Sequence, residues 1–149
     1  MLRTLLMSAF CVALTACGRQ TESVTAPVVN EVAFSEAFHY FVKAEADSVP
    51  SKVLTAEEFD RYFGATATMG ADGKPTPIDF DKEFVIAVTM GPTDTSVDFE
   101  VNSLTLDDKT LTLDVSHTRG QPLPYTVQPL LLLTVDRAFA DCDVIVQEI

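Results

Sequence analysis

Tryptophan is absent from this chain, histidine occurs twice, glycine six times, and basic side chains number ten against 22 acidic ones. Each shortage narrows the function. Without tryptophan the domain lacks the side chain best suited to a flat carbohydrate platform. Two distant histidines, His39 and His117, provide no zinc-ligand spacing. No Gly-rich loop opens a helix to cradle phosphate, and no G-x-S-x-G turn presents a nucleophile. The acid excess repels nucleic acid and anionic headgroups, so no nucleic-acid partner is expected. It suits a basic partner, or simply keeps a tethered protein soluble, and the second is the expected reason.

The only long apolar run lies at the start. MLRTLLMSAFCVALTAC has one basic residue, Arg3, followed by the apolar stretch Leu5 to Leu14. That stretch is too short to span a bilayer, and the pattern is that of a secretory signal peptide. Its end, Leu14-Thr15-Ala16-Cys17, resembles the bacterial lipobox. The resemblance implies cleavage after residue 16, acylation of Cys17 and anchoring to a membrane through the N-terminal lipid, which several acyl chains together make stable. Gly18-Arg19-Gln20 carries neither an Asp after the cysteine nor an acidic export signal. The expected location is therefore the bacterial cell envelope, on the periplasmic face of the outer membrane.

Cysteine chemistry is then restricted. Cys11 leaves with the leader and Cys17 carries lipid, so Cys142 is the one remaining thiol and no intramolecular disulfide forms in the mature chain. Between Asp141 and Asp143, Cys142 is disfavoured as a thiolate and reads as a small packed residue. The mature chain has 133 residues, with nine basic against 22 acidic side chains. That is one domain's worth of core. Residues 17–31 read as a lipidated flexible tether, and 32–149 as a single globular domain.

Within that domain the enrichment in aromatics predicts a strand near 37–43. Thr55-Ala56-Glu57-Glu58 is a capping box opening a short helix over 56–63. Phe59 and Phe63 lie on its core face, Leu54 is placed to staple its start, and Gly64 stands as its terminator. Phe84 to Met90 reads as a strand buried on both faces. Val97, Phe99 and Val101 alternate with Asp98 and Glu100, but Leu104 and Leu106 take the opposite parity. A bulge or kink at Asn102-Ser103 is therefore expected. Asp107-Asp108-Lys109 forms a turn. In the returning strand Leu111, Leu113 and Val115 point inward, and Thr110, Thr112 and Asp114 outward. RGQPLP reads as a loop, Tyr125 to Val135 as a strand that must accommodate Pro129, and Val144 to Ile149 as the last strand. The expected fold is mainly β (α+β), an antiparallel sheet or sandwich with one short packed helix.

The stretch GADGKPTPIDFDKE, residues 70–83, looks most like a site and fails when its positions are counted. With Asp72 first, Glu83 falls twelfth, where a calcium loop needs its terminal carboxylate. Lys74 and Pro77, however, occupy places that need an oxygen and a glycine. Asp79 and Asp81 remain as monodentate oxygens, so a small-ligand or cation binder using Asp72, Asp79 and Asp81 stays an alternative. His117 continues the inward parity of its strand, and its neighbour Ser116 points the other way. An envelope hydrolase working through a carboxylate pair is a second alternative, though 22 acids select no pair. No catalytic, cofactor or metal residue is assigned, and Cys17 is the one modification site.

Two features together carry a family resemblance: AEEFDRYFG, then PIDFDKEFVIAVTMG leading into VDFEVNSLTLDDKTLTLDV and LLLLTV. Over residues 55–136 this order is similar to the C-terminal domain of PrcB-type protease-complex lipoproteins. The wording of the 70s segment resembles small Bacteroidetes-type lipoproteins of unknown function. Where PrcB-type domains carry Gly-Gly-Tyr, this chain has Pro92-Thr93-Asp94-Thr95-Ser96, so the resemblance implies architecture and compartment but no site residues. The expected function is a non-enzymatic, membrane-anchored binding or accessory module for an envelope protein, such as a periplasmic protease. Its contacts are expected at loops 64–77, 91–96 and 118–124.

Overall fold

In the computed structural model, residues 30–46, 48–66 and 73–148 are described. Cys17, Asp72 and the leader lie outside them, as does most of the tether. The fold is mainly β with one short helix. Strand β1 (Asn30–Glu31) is the first element among the described residues.

The centre of the fold is a bent ribbon. Strand β6 (Glu83–Thr89) pairs antiparallel with β9 (Leu130–Asp136), and β7 (Thr93–Asp107) with β8 (Thr110–Val127). The second pair nests inside the first. The ribbon turns a corner at 90–92 and 128–129, where the Met90 N–H donates to the Pro129 carbonyl at 3.1 Å. Folding at that corner lays one pair over the other. Phe84, Ile86, Val88, Leu131, Leu133 and Val135 of one layer meet Leu104, Leu111, Leu113 and Val115 of the other in one buried cluster. Each layer becomes a four-stranded sheet, in the orders β1-β7-β8-β10 and β2-β9-β6-β4. Here β2 is Phe34–Glu36, β4 is Lys52–Val53 and β10 is Asp143–Glu148.

Strand β6 is covered on both faces, as its continuous apolar run requires. Val85 and Ala87 point away from the sandwich into a second cluster with Val53, Phe59, Phe63 and Leu132. The cover there is helix α1 (Ala56–Tyr62) with the small sheet of β3 (Tyr40–Val42) and β5 (Phe63–Ala65). Thr55 caps α1, its hydroxyl accepting from the Glu58 N–H at 3.1 Å. Glu58 reaches back to the Leu54 N–H, one residue beyond the usual partner. Phe59 packs between Tyr40, Phe63 and Phe80, with centroids 4.8–5.7 Å apart.

Several expectations are corrected. The expected strand at 37–43 shrinks to β3, Tyr40–Val42, while β2 in the other sheet ends at Glu36; between them His39 takes a positive φ of 67° and turns the chain. Gly64 does not end α1; Phe63 is already extended, and Gly64 lies in β5 because a Cβ there would sit 2.4 Å from the Phe41 ring. Leu54 packs on the inter-sheet cluster and so does not staple Phe59. The predicted strand 125–135 is broken at Gln128-Pro129, which solves the proline problem by placing it at the ribbon's corner. RGQPLP is no free loop but part of β8. The ladder is irregular there: Thr93 pairs with Val127 and Thr95 with Pro122, so 123–126, Pro124 among them, bulge out opposite Asp94. Strand β10 lies parallel to β8, so that one sheet is mixed, while β2-β9-β6-β4 is antiparallel throughout as expected. The bulge at Asn102-Ser103 is present: Val101 pairs with Val115 and Ser103 with Asp114.

Candidate functional site

The chain crosses from one sheet to the other at Val32–Ala33, and that crossing leaves a gap. Asn30 and Glu31 pair with Leu106 and Thr105 of β7, and the Val32 N–H donates to the Leu104 carbonyl at 2.8 Å. From Phe34 the chain belongs to β9 instead. On the side away from β8, β7 therefore has no strand partner from Val97 to Ser103 among the described residues. Two separate hollows lie along this free edge beside segment 31–38, and together they are called the furrow. Its first part, about 370 Å³, is lined by Glu31, Val32, Phe34, Asn102, Ser103 and Leu104. The second part, about 190 Å³, has Glu36, Phe38, Val97, Asp98, Phe99 and Leu130 along its walls.

Phe38 stands at the furrow's end and is 56% exposed. The connector that leads to β6 holds it there. The Phe38 N–H donates to the Thr76 hydroxyl at 2.9 Å, and the Thr76 N–H donates to the Phe38 carbonyl at 3.1 Å. The Tyr40 hydroxyl donates to the Thr76 carbonyl at 2.6 Å. Burial, with the Asp60 carboxylate adding to it, pushes the Tyr40 phenol up, which keeps it a donor. The positive φ of His39 separates the two aromatics, so Tyr40 enters the helix-side cluster while Phe38 faces out. An aromatic this exposed, fixed through its own backbone, is a built feature of the surface.

The furrow's charge is of one sign. Among the described residues Glu31, Glu36 and Asp98 line it, and no Lys or Arg does. Glu36 and Asp98 share one hollow, but both are exposed to water. That wet setting lacks the exclusion of solvent that carboxylate-pair catalysis uses.

The remaining sequence candidates are dispersed. Asp79 nucleates the turn into β6: its carboxylate accepts from the Asp81 N–H at 3.2 Å and from Lys82 Nζ at 2.7 Å. The Lys82 ammonium, then the Asp81 N–H, hold the Asp79 carboxyl below its ordinary value. Asp79 is thus occupied by a cation of the chain's own. Among the described residues no group of three or more His, Cys, Asp or Glu is placed to hold a metal. His117 pairs across from Phe99, edge to face at 6.4 Å, and Ser116 faces Asn102 on the other side of the sheet. Cys142 is half-buried against the inter-sheet core, and its carbonyl accepts from Lys52 Nζ at 2.6 Å.

Two of the expected contact loops are strands from Thr93 and through 118–124, and residues 67–72 of the third lie outside the described residues. The feature that sequence reading missed is the furrow. Its signal was partial: the acidic alternation of β7 was visible, but the absence of a neighbouring strand is a property of topology. Among the described residues no helix is long and apolar enough to cross a membrane. No family model, curated protein or solved structure matches this chain.

Proposed function

We propose that this chain is an envelope lipoprotein, anchored to the outer membrane through acylated Cys17 and facing the periplasm, that serves as a non-enzymatic binding or accessory module for another envelope protein. The observation that carries the binding half is the furrow: an open strand edge, an exposed aromatic held by two backbone hydrogen bonds to Thr76, and carboxylates of one sign along its walls. Leu14-Thr15-Ala16-Cys17 supports the anchoring half, and its resemblance to a lipobox is the basis for the compartment. The likeness of residues 55–136 to PrcB-type domains makes a periplasmic protease complex the first partner to look for. No cofactor is required by this reading.

Two measurements test it. Cys17→Ser is expected to move the protein from the membrane to the soluble envelope fraction, and a variant that still sediments with membranes contradicts the anchor. Affinity purification of the lipidated chain from detergent-solubilised envelopes is expected to bring down a stoichiometric partner. Asp98→Lys is expected to lose that partner while keeping the fold, since Asp98 is an exposed strand residue. Recovery of no partner across growth conditions contradicts the binding role.

A further inference from the structure

The furrow's geometry points to the kind of partner segment it takes. We infer that it binds an extended peptide segment of another protein, which adds as a strand to the free edge of β7 between Val97 and Ser103 and alternates basic with apolar side chains. The inference rests on the binding reading above and specifies its chemistry.

Backbone comes first. A strand edge presents N–H and C=O groups that a partner strand can satisfy, and edges left open are where such addition occurs. Strand β1 already does this to β7 at Thr105 and Leu106, then leaves at Val32 for the other sheet. The edge from Ser103 back to Val97 is thus the continuation of a pairing that this chain begins and abandons. A guest strand there extends the sheet where β1 stops.

Side chains then select the guest. On one face of β7, Phe99 and Val101 pack toward the inter-sheet core, with Val97 lining the furrow beside Phe38 and Leu130. Alternate guest residues on that face meet an apolar wall, so they are apolar. On the other face Asp98 and Glu100 are exposed, with Glu31 beyond them on β1, while Glu36, paired with Leu133, stands at the mouth of the inter-sheet side. Guest residues facing these carboxylates are Lys or Arg. The same acids argue against a second copy of this chain. Antiparallel pairing of β7 with itself sets Asp98 and Glu100 against their own kind, which is unfavourable across a strand pair. An acidic edge of this type is closed to its like and open to a basic strand.

The test uses the full lipidated chain in detergent micelles and three synthetic ten-residue peptides. One alternates Lys and Val, one alternates Glu and Val, and the third is the Lys/Val peptide N-methylated on every backbone nitrogen. The Lys/Val peptide is expected to slow hydrogen exchange at backbone amides within 97–103 and to bind about tenfold more weakly to the Glu36→Lys/Asp98→Lys variant. The Glu/Val peptide is expected not to bind. The N-methylated peptide is expected to lose the protection, because it cannot complete the ladder. Equal binding by the N-methylated peptide overturns strand addition in favour of charge attraction alone. Protection elsewhere, or none, overturns the site and leaves the acidic edge as a guard against self-association. Neither failure removes a partner recovered from envelopes, so loss of this inference and loss of the binding reading are separable.

Discussion

Gly64 shows what a single missing Cβ does here. The Phe41 ring lies where that atom would be, with Cζ at 2.4 Å and Cε1 at 2.7 Å, yet the ring is 45% exposed and can swing outward. Gly64→Ala is therefore expected to cost about 1 kcal/mol in chemical denaturation, the low end for overpacking. In a Phe41→Ala background the same change is expected to cost nothing measurable. Equal costs in both backgrounds contradict the contact. The Asp79–Lys82 pair makes a different residue-scale prediction. The carboxyl sits below its ordinary value, so its contribution is present above the ordinary Asp range and fades as pH falls through the folded value. Lys82 is raised by the same contact, so its part is present below the ordinary Lys value and fades at higher pH. A carbon-detected NMR titration is expected to place the Asp79 midpoint below the ordinary value, and Lys82→Gln to return it upward. Both groups are exposed, so salt is expected to shrink the difference.

Among the elements, those that were legible in the sequence are the ones whose cause is local. The capping box located α1 because Thr55 and Glu58 sit at fixed spacing from the first helical residue. The parity flip between Val101 and Leu104 located the bulge, because apolar side chains on both sides of it had to reach one core. Deleting Asn102 is accordingly expected to force one set outward. With the half-buried Phe99 and Val101 lost from the core the cost is about 1.5–3 kcal/mol, half of the 1.5–3 kcal/mol that full burial of each would give. An unchanged denaturation midpoint contradicts that role for the bulge. What was not legible depends on partners distant in sequence. The RGQPLP prolines read as a loop because nothing local tells that β7 runs on beside them. The break at His39 was hidden by an aromatic-rich stretch that fits either periodicity. The parallel placement of β10 against β8 has no local signature at all.

At the scale of the whole molecule, one bent ribbon generates both sheets, and the open edge of β7 is a consequence of how the chain enters them. Strand β1 pairs with one sheet and β2 with the other, so the crossing between them cannot cover β7 beyond Leu104. The opposite edge of that sheet is β10, whose exposed apolar residue is Ile145, at 48%. The two edges differ in character: Asp98 and Glu100 on β7, and Val144, Ile145 and Val146 on β10. The acid excess noted at the outset is thus partly organised, since the furrow holds carboxylates without cations. A soluble coat of acids needs no such placement, whereas recognition of a basic strand does. Under the proposed anchoring by Cys17, that edge stays within the envelope, where its partner is expected.

Photo-crosslinking in intact cells tests this most directly. A benzophenone side chain is placed in the full lipidated chain at Asp98, at Phe38, or at Ile145 on the opposite edge. A discrete adduct is expected from Asp98 and Phe38 but not from Ile145, with the crosslinked peptide of the partner alternating basic and apolar residues. An adduct from Ile145 alone, or from none of the three, contradicts the assignment of the β7 furrow as the binding site.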